Sequence, residues 1–171
     1  MNKIELSGKN GIGKFILVDD ENFDWLNQWS WFLVGRNLDY VCRRTHIGSA
    51  KNGTRKSVGF YIHRLIMDAP KDLQVDHRNR NKLDNRRKNL RFCNNSQNHQ
   101  NQGISKKNTS GYKGVNYIKS KWRVKRWRAQ IRVNGKNLTI ASFNTKEEAA
   151  LAYNQAAQKY FGEYARLNFV Y

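Results

Sequence analysis

An aspartate and a histidine stand side by side near the middle of the 171-residue chain, as Asp76 and His77. A carboxylate oxygen suits Mg²⁺, which needs only one or two protein oxygens besides its waters and a substrate phosphate. A histidine titrates near neutrality and can take a proton from an attacking water. Because successive side chains of a strand point to opposite faces, metal and base would act from different sides. The pair suits metal-assisted hydrolysis of a phosphodiester, although Asp-His pairs also occur in ordinary turns.

The residues around this pair predict two short strands followed by a helix. Residues 75–77 have the character of a strand end, and residues 90–92 alternate like a second strand beyond a polar loop. Asn94 or Asn95 is suited to cap a helix that begins near Ser96. An amide-rich run of this kind is by itself also typical of a linker. A hairpin followed by a helix can hold one divalent cation.

Two asparagines complete the constellation. Asn89 follows Asp76 by thirteen positions, and Asn98 lies nine positions further on, where its amide oxygen can face the same cation. These residues, together with Leu83-Asp84-Asn85 and Asn89-Leu90-Arg91, resemble the HNH (ββα-metal) nucleases, in particular those of the phage and intron homing type.

The resemblance implies a role for each matching residue. Asp76 and Asn98 match the ligands of one divalent cation, Mg²⁺ with Mn²⁺ as the alternative. His77 matches the general base, and Asn89 matches the asparagine that braces the hairpin loop and orients the histidine. His63 resembles a histidine that precedes the nuclease hairpin, where we expect a structural hydrogen bond.

The charge of the chain points to a polyanionic partner. Lys and Arg number 32 against 13 Asp and Glu, a formal net charge of +19, which an enzyme of small molecules rarely carries. Between Asp84 and Glu147 there are sixteen basic and no acidic residues, whereas a merely solvated surface mixes both signs. We therefore expect double-stranded DNA as the partner. Three arginines lie near enough to the site in sequence to contact flanking phosphates or, equally, to face solvent: Arg86, Arg87 and Arg91.

Cysteine usage and hydropathy predict the compartment. Cys42 and Cys93 form no CxxC pair, so neither a zinc knuckle nor a disulfide framework is expected, and two buried reduced thiols suit a cytosolic protein. The first fifteen residues lack an apolar signal core, and no apolar run approaches membrane-spanning length. We expect a cytoplasmic protein, in the host cytoplasm if it is phage-encoded, with no membrane partner.

The residues before the nuclease-like segment predict a small sheet of their own. Strands are expected at residues 15–18, 31–34, 40–44 and 57–62, with short helices at 23–29 and 63–67. Residues 45–56 are polar and basic, which suits a hairpin tip that touches either phosphate or solvent alone.

A second domain is expected after a linker at residues 102–110, which are small, polar and without periodicity. Its three strands are predicted at residues 112–117, 122–133 and 137–143, with Asn134-Gly135 as a two-residue turn. Thr145 and Glu148 predict a capping box for a helix that ends at Gly162. The core stripe of that helix is expected to comprise Ala149, Ala152, Tyr153, Ala156 and Tyr160. The predicted domains are therefore residues 1–101, with the sheet and the nuclease, and residues 111–171.

Several short motifs follow the linker: Gly111 to Val115, Trp127 to Arg132, Ala141 to Phe143, Glu147 to Ala150, Ala152-Tyr153 and Ala156-Ala157. From Ser110 to Phe169, they resemble the plant ethylene-response-factor (Apetala-type) DNA-binding domain. In that family a three-stranded sheet enters the major groove, which implies DNA contacts for Lys113, Gln130 and Arg132. The Arg and Trp that this family has on its third strand are replaced here by Asn137 and Thr139. We therefore do not expect this protein to prefer the same DNA sequence as that family.

The alternation of side chains along a strand predicts which residues share the DNA-facing side of this sheet. The face expected to meet DNA carries Arg126, Arg128, Gln130 and Arg132. Trp127 and Ile131 are expected to be buried beneath it.

Together these features predict an α+β fold. A small N-terminal sheet leads into a ββα-metal nuclease core, then a linker and a three-stranded antiparallel sheet packed on one helix. The predicted function is that of a metal-dependent, site-preferring DNA endonuclease of the homing type. The sequence shows one Asp-His-Asn constellation and no leucine heptad, so we expect a monomer that nicks one strand. The competing hypothesis is a non-catalytic regulator that binds double-stranded DNA. RNA-directed binding is weaker, because no stacking motif of RNA modules is found.

Overall fold

The computed structural model describes residues 2–37, 39–49, 52–122 and 124–170. Within these residues the fold is α+β, as predicted, with ten strands in four small sheets and four α-helices. The chain divides into two compact units, residues 1–94 and residues 95–171. No helix in the described ranges is both long and apolar enough to cross a bilayer. The predicted domain limits themselves stay a prediction.

The first unit contains three antiparallel sheets and two helices. In chain order its elements are β1 (Asn2–Glu5), β2 (Phe15–Val18), α1 (Asp20–Asn27), β3 (Phe32–Val34), β4 (Tyr40–Ser49), β5 (Arg55–Tyr61), α2 (Ile62–Ile66), β6 (Gln74–His77) and β7 (Leu90–Cys93). Strand β1 pairs with β2, β4 lies between β3 and β5, and β6 pairs with β7. Strand β1 was not predicted, because Ile4 is its one buried residue and gives no alternation to recognise.

The core of the first unit gathers apolar side chains from every one of these elements except β5. Ile16, Leu26 and Ile62 are fully buried in it. Trp31 is also fully buried, and its Nε1 donates to the carbonyl of Leu26 at 2.9 Å. Trp31 is therefore a core residue of this unit. The ends of β4 and β5 that lie beyond this core are exposed, which extends the hairpin further than predicted.

The second unit consists of a short helix followed by a sheet and a long helix. Its elements are α3 (Asn95–Asn101), β8 (Val115–Tyr117), β9 (Trp127–Val133), β10 (Lys136–Phe143) and α4 (Lys146–Phe161). The sheet is antiparallel with β9 in the centre, and Val115 and Ala129 pack against Ala149 and Ala150 of α4. A sheet packed on one helix was predicted, and the capping box of Thr145 and Glu148 is present.

Two details of the second unit differ from the prediction. Strand β9 begins at Trp127, and Trp122 lies outside it with 94% of its surface exposed. The core stripe of α4 passes through Ala157 and Phe161, whereas Tyr160 is 47% exposed. A spacing of four residues keeps Tyr153, Ala157 and Phe161 on one face of the helix, and Tyr160 falls beside that face.

Candidate active site

Asp76 forms a buried ion pair with the residue opposite it on the neighbouring strand. The register of β6 and β7 sets Asp76 against Arg91. Arg91 donates from Nε and from Nη2 to Oδ2 of Asp76, at 3.0 and 2.8 Å. The Arg91 side chain is 5% exposed and that of Asp76 is 8% exposed. Contact with phosphate or with solvent was predicted for Arg91, but the structure buries its side chain against Asp76.

The donor chemistry around Asp76 fits a hard cation that takes few protein ligands. Mg²⁺ is commonly held by one or two carboxylates together with substrate phosphate. Ligating carboxylates are usually fixed by a hydrogen-bond donor behind them, and Arg91 is such a donor. Within the described ranges, no three or more His, Cys, Asp and Glu side chains are grouped to hold a metal. The second predicted ligand, Asn98, lies on α3 in the second unit, and its pairing with Asp76 stays a prediction.

His77, the last residue of β6, is held by the amide of Asn85. The His77 Nε2 lies 3.1 Å from Oδ1 of Asn85, which is fully buried. The amide is fixed from its other end, because Asn85 Nδ2 donates to the carbonyl of Lys82 at 3.1 Å. The oxygen therefore faces the ring and accepts from an Nε2–H. In the neutral ring, Nδ1 then carries the lone pair that can take a proton from water.

The surroundings of His77 keep its ring uncharged. Burial lowers the pKa of His77, although the Asn85 hydrogen bond and the Asp76 carboxylate favour the charged form. His63 packs edge-on against it, with ring centroids 5.4 Å apart. Burial, and then the neighbouring His77, lower the pKa of His63 to about 3. Both rings are therefore neutral near pH 7, the form that a general base requires.

Asn89 braces the loop between β6 and β7. Its Oδ1 accepts from the backbone N–H of Asn79 at 3.0 Å, and its Nδ2 donates to the carbonyl of Asp84 at 2.7 Å. Asn89 therefore ties two points of the loop to the start of β7, and a role for it in catalysis stays a prediction. The contact that orients His77 comes from Asn85, whose role the matching motif Leu83-Asp84-Asn85 does not indicate by itself.

The same loop is anchored to strand β2. The backbone N–H of Leu17 donates to the carbonyl of Leu83, and the N–H of Asn85 donates to the carbonyl of Leu17, both at 2.8 Å. These two bonds fix the backbone on either side of Asp84. The small N-terminal sheet thus positions the amide that holds His77.

Arg86 and Arg87 differ in their freedom to meet a phosphate. Arg86 grips both carboxylate oxygens of Asp84, with Nε and Nη2 each at 2.7 Å. This ion pair lowers the pKa of Asp84. Arg87 is 56% exposed, and its Nε lies 3.3 Å from Glu21, which is itself exposed. An exposed pair contributes little stability, so Arg87 is the one whose side chain can be redirected to a phosphate at low cost.

Side chains of strand β9 alternate between a buried face and an outward face, and contact of the outward face with DNA stays a prediction. Ile131 is buried as expected, together with Ala129, whereas Trp127, which was also expected to be buried, is half-buried. Arg132 on the opposite face is exposed. Arg128 and Gln130 on that face are half-buried. The Arg126 side chain, just before the strand, donates to the hydroxyl of Tyr117 at 3.0 Å, and Arg132 Nε donates to the carbonyl of Gly135 at 3.2 Å.

Lys113 is engaged with protein atoms. Its Nζ donates to the carbonyls of Gln100 and Gln102, at 2.5 and 2.7 Å. A cavity of about 540 Å³ in the second unit opens beside it, and the lining includes Gln130 and Arg132. Contact of Lys113 with DNA stays a prediction, in competition with these two bonds.

Comparison with known proteins points to the same hairpin. The sequence profile of a family described as HNH endonuclease matches residues 60–100. An uncharacterized HNH endonuclease, L560 of Acanthamoeba polyphaga mimivirus, is 30% identical over 162 residues, which cover 92% of this chain and 76% of that relative. No solved structure shows a significant match to the chain. The matched region contains the paired strands with Asp76, His77, Asn85 and Asn89, and the chain belongs to the HNH endonuclease family.

Proposed function

We propose that this protein is a site-preferring DNA endonuclease of the homing type. It hydrolyses a phosphodiester with the help of a divalent cation, for which Mg²⁺ is the first candidate. The observation that carries the proposal is the hydrogen bond between His77 Nε2 and Asn85 Oδ1. With Nε2–H donating to Asn85, Nδ1 is the unprotonated nitrogen of the neutral histidine, next in sequence to a buried carboxylate. Membership of the HNH family supports DNA as the substrate, and the net charge of +19 supports a polyanion.

The residues of the hairpin divide the work of hydrolysis. His77 takes the proton of the attacking water at Nδ1, a contribution on the order of 10²–10⁴-fold in rate. Asp76, held in place by Arg91, and Asn98 on α3 would hold the cation. When bound, the cation neutralises the scissile phosphate and the departing 3′ oxygen. Asn85 keeps the histidine in the tautomer that its task requires.

The second unit supplies the grip on DNA in this proposal. Its element order of three antiparallel strands and one helix supports the likeness to the Apetala-type domain. The outward face of β9, with Arg128, Gln130 and Arg132, is the surface assigned to the major groove. Arg126 and the exposed Arg87 add phosphate contacts. The protein acts in the cytoplasm as a monomer and nicks one DNA strand in each binding event.

Supercoiled plasmid with and without Mg²⁺ tests this function. Metal-dependent conversion to open circle, abolished by His77→Ala, is the expected result. A protein that binds the plasmid without changing its topology under Mg²⁺ or Mn²⁺ would be a DNA-binding regulator. An end-labelled cleavage map then shows whether the cut falls at a preferred site.

A further inference from the structure

The C-terminal end of helix α3 is closed by a lysine from further along the same unit. Lys113 Nζ donates to the carbonyl oxygens of Gln100 and Gln102, at 2.5 and 2.7 Å. The last carbonyls of a helix have no partner within it and carry the negative end of its dipole. An ammonium group at this point donates hydrogen bonds to those carbonyls and brings a positive charge to the negative end of the dipole. Lys113 is therefore a cap for α3.

Helix α3 depends on such support because it is short and polar. It spans seven residues, Asn95–Asn101, with the sequence NSQNHQN. Isolated helices shorter than about 12–15 residues are marginal in water, and asparagine is a poor helix former. The buried residue of this helix is Asn101, at its end. Its position therefore relies on contacts at the end that Lys113 caps.

Lys113 is itself fixed by polar contacts that begin on α4. Asn168 Oδ1 accepts from the backbone N–H of Lys113 at 2.7 Å, and Asn168 Nδ2 donates to the Lys113 carbonyl at 3.1 Å. Asn154 on α4 holds the backbone of Asn168 in the same two-way manner, at 2.7 and 2.9 Å. We call this chain of three residues, Asn154, Asn168 and Lys113, the α3 bracket. It connects the long helix of the unit to the end of α3.

We propose that Lys113 is a positioning residue for Asn98, and that the α3 bracket sets how well α3 presents that amide to a cation. The inference rests on the proposed function, in which Asn98 is a metal ligand. Asn98 lies one turn before the capped end of α3, so loosening that end moves its amide. Loss of a group that orients a ligand typically lowers metal affinity 10–100-fold.

Full-length variants separate this role from DNA contact. Lys113→Met removes the ammonium and keeps the apolar stem, whereas Lys113→Arg keeps the charge and the donors. Lys159→Met is the matched control, because it makes the same charge change at an exposed lysine of α4. Three quantities are compared: the half-saturating Mn²⁺ concentration measured by calorimetry and by cleavage, the salt dependence of DNA binding with Ca²⁺, and amide hydrogen exchange at residues 95–102 without metal.

We expect Lys113→Met to raise the half-saturating Mn²⁺ concentration about tenfold and to speed exchange in α3, with the salt dependence unchanged. Lys113→Arg should restore most of both properties, and Lys159→Met should change neither. A log-log salt slope flattened by about 0.9, with unchanged metal affinity, would place Lys113 on a phosphate and overturn the inference. Unchanged exchange in Lys113→Met would overturn it as well. If the wild-type protein neither binds Mn²⁺ nor cleaves DNA, the proposed function fails, and the exchange data still decide whether Lys113 fixes α3.

Discussion

Arg91 places two nitrogens on one carboxylate oxygen of Asp76 from the directly opposed position of the neighbouring strand. Because both side chains are buried, removal of the arginine leaves an uncompensated charge in the interior. We expect Arg91→Ala to lower the free energy of unfolding by about 3–5 kcal/mol, measured by urea denaturation. Arg87→Ala, at an exposed pair, should cost less than about 1 kcal/mol. Equal effects of the two substitutions would show that the Asp76 pair is not the buried contact described.

Asn85 decides which nitrogen of His77 carries the proton. We expect Asn85→Ala to slow cleavage at saturating metal while DNA affinity stays unchanged. The loss in rate should not exceed that of His77→Ala, which is on the order of 10²–10⁴-fold. Asn81→Ala, at an exposed asparagine of the same loop, is the matched control. The rates come from single-turnover nicking of plasmid. If His77→Ala cuts at the wild-type rate, the base is another group. His99 on α3, the next histidine along the chain, is then the candidate.

Local sequence signals predicted the second unit well. The Asn134-Gly135 turn has positive φ at both positions, 49° and 79°, as a two-residue hairpin turn requires. The capping box of Thr145 and Glu148 is equally local. Each is decided by residues a few positions apart, so no knowledge of the tertiary fold was needed.

The hydrogen-bond partner of His77 cannot be predicted from local sequence signals. The loop after it contains four asparagines, at positions 79, 81, 85 and 89, and spacing alone does not show which amide meets the ring. The choice is made by the docking of the loop on Leu17 of β2, a contact between distant parts of the chain. The burial of Arg91 has the same cause. Its side chain was expected to meet phosphate or solvent, because its partner Asp76 is set by the strand register.

His63 should make the fold sensitive to acid. Its pKa is about 3 in the folded protein, against about 6.5 in an unfolded chain. Between these values the unfolded state binds one proton more, so the free energy of unfolding falls as the pH falls, by up to about 1.4 kcal/mol per pH unit. The stabilisation is complete above the unfolded pKa. We expect His63→Gln to show a shallower loss than the wild type from about pH 6 to pH 4 in urea denaturation. Parallel curves would show that His63 already takes up its proton in the fold.

The exposed arginine of β9 should contribute one phosphate or base contact. We expect Arg132→Ala to weaken DNA binding and, if the contact is to phosphate, to flatten the log-log salt slope by about 0.9. Lys159→Ala on the helix α4 serves as the control of equal charge. The measurement is a salt titration of binding with Ca²⁺ in place of Mg²⁺. The same affinity and slope in Arg132→Ala and in the wild type would remove this face from the DNA interface.

One protein molecule should nick one strand. The set of Asp76, His77 and Asn98 occurs once in the sequence, without an internal repeat. Because the two strands of a duplex run antiparallel, a site oriented for a phosphate of one strand is misoriented for the other strand. A double-strand cut would need a symmetric dimer on a near-palindromic target, or release and rebinding. We therefore expect supercoiled plasmid to become open circle first, with linear product appearing late, in a time course resolved on agarose gels. Linear DNA formed directly, with a steep dependence on protein concentration, would instead show that two chains act together.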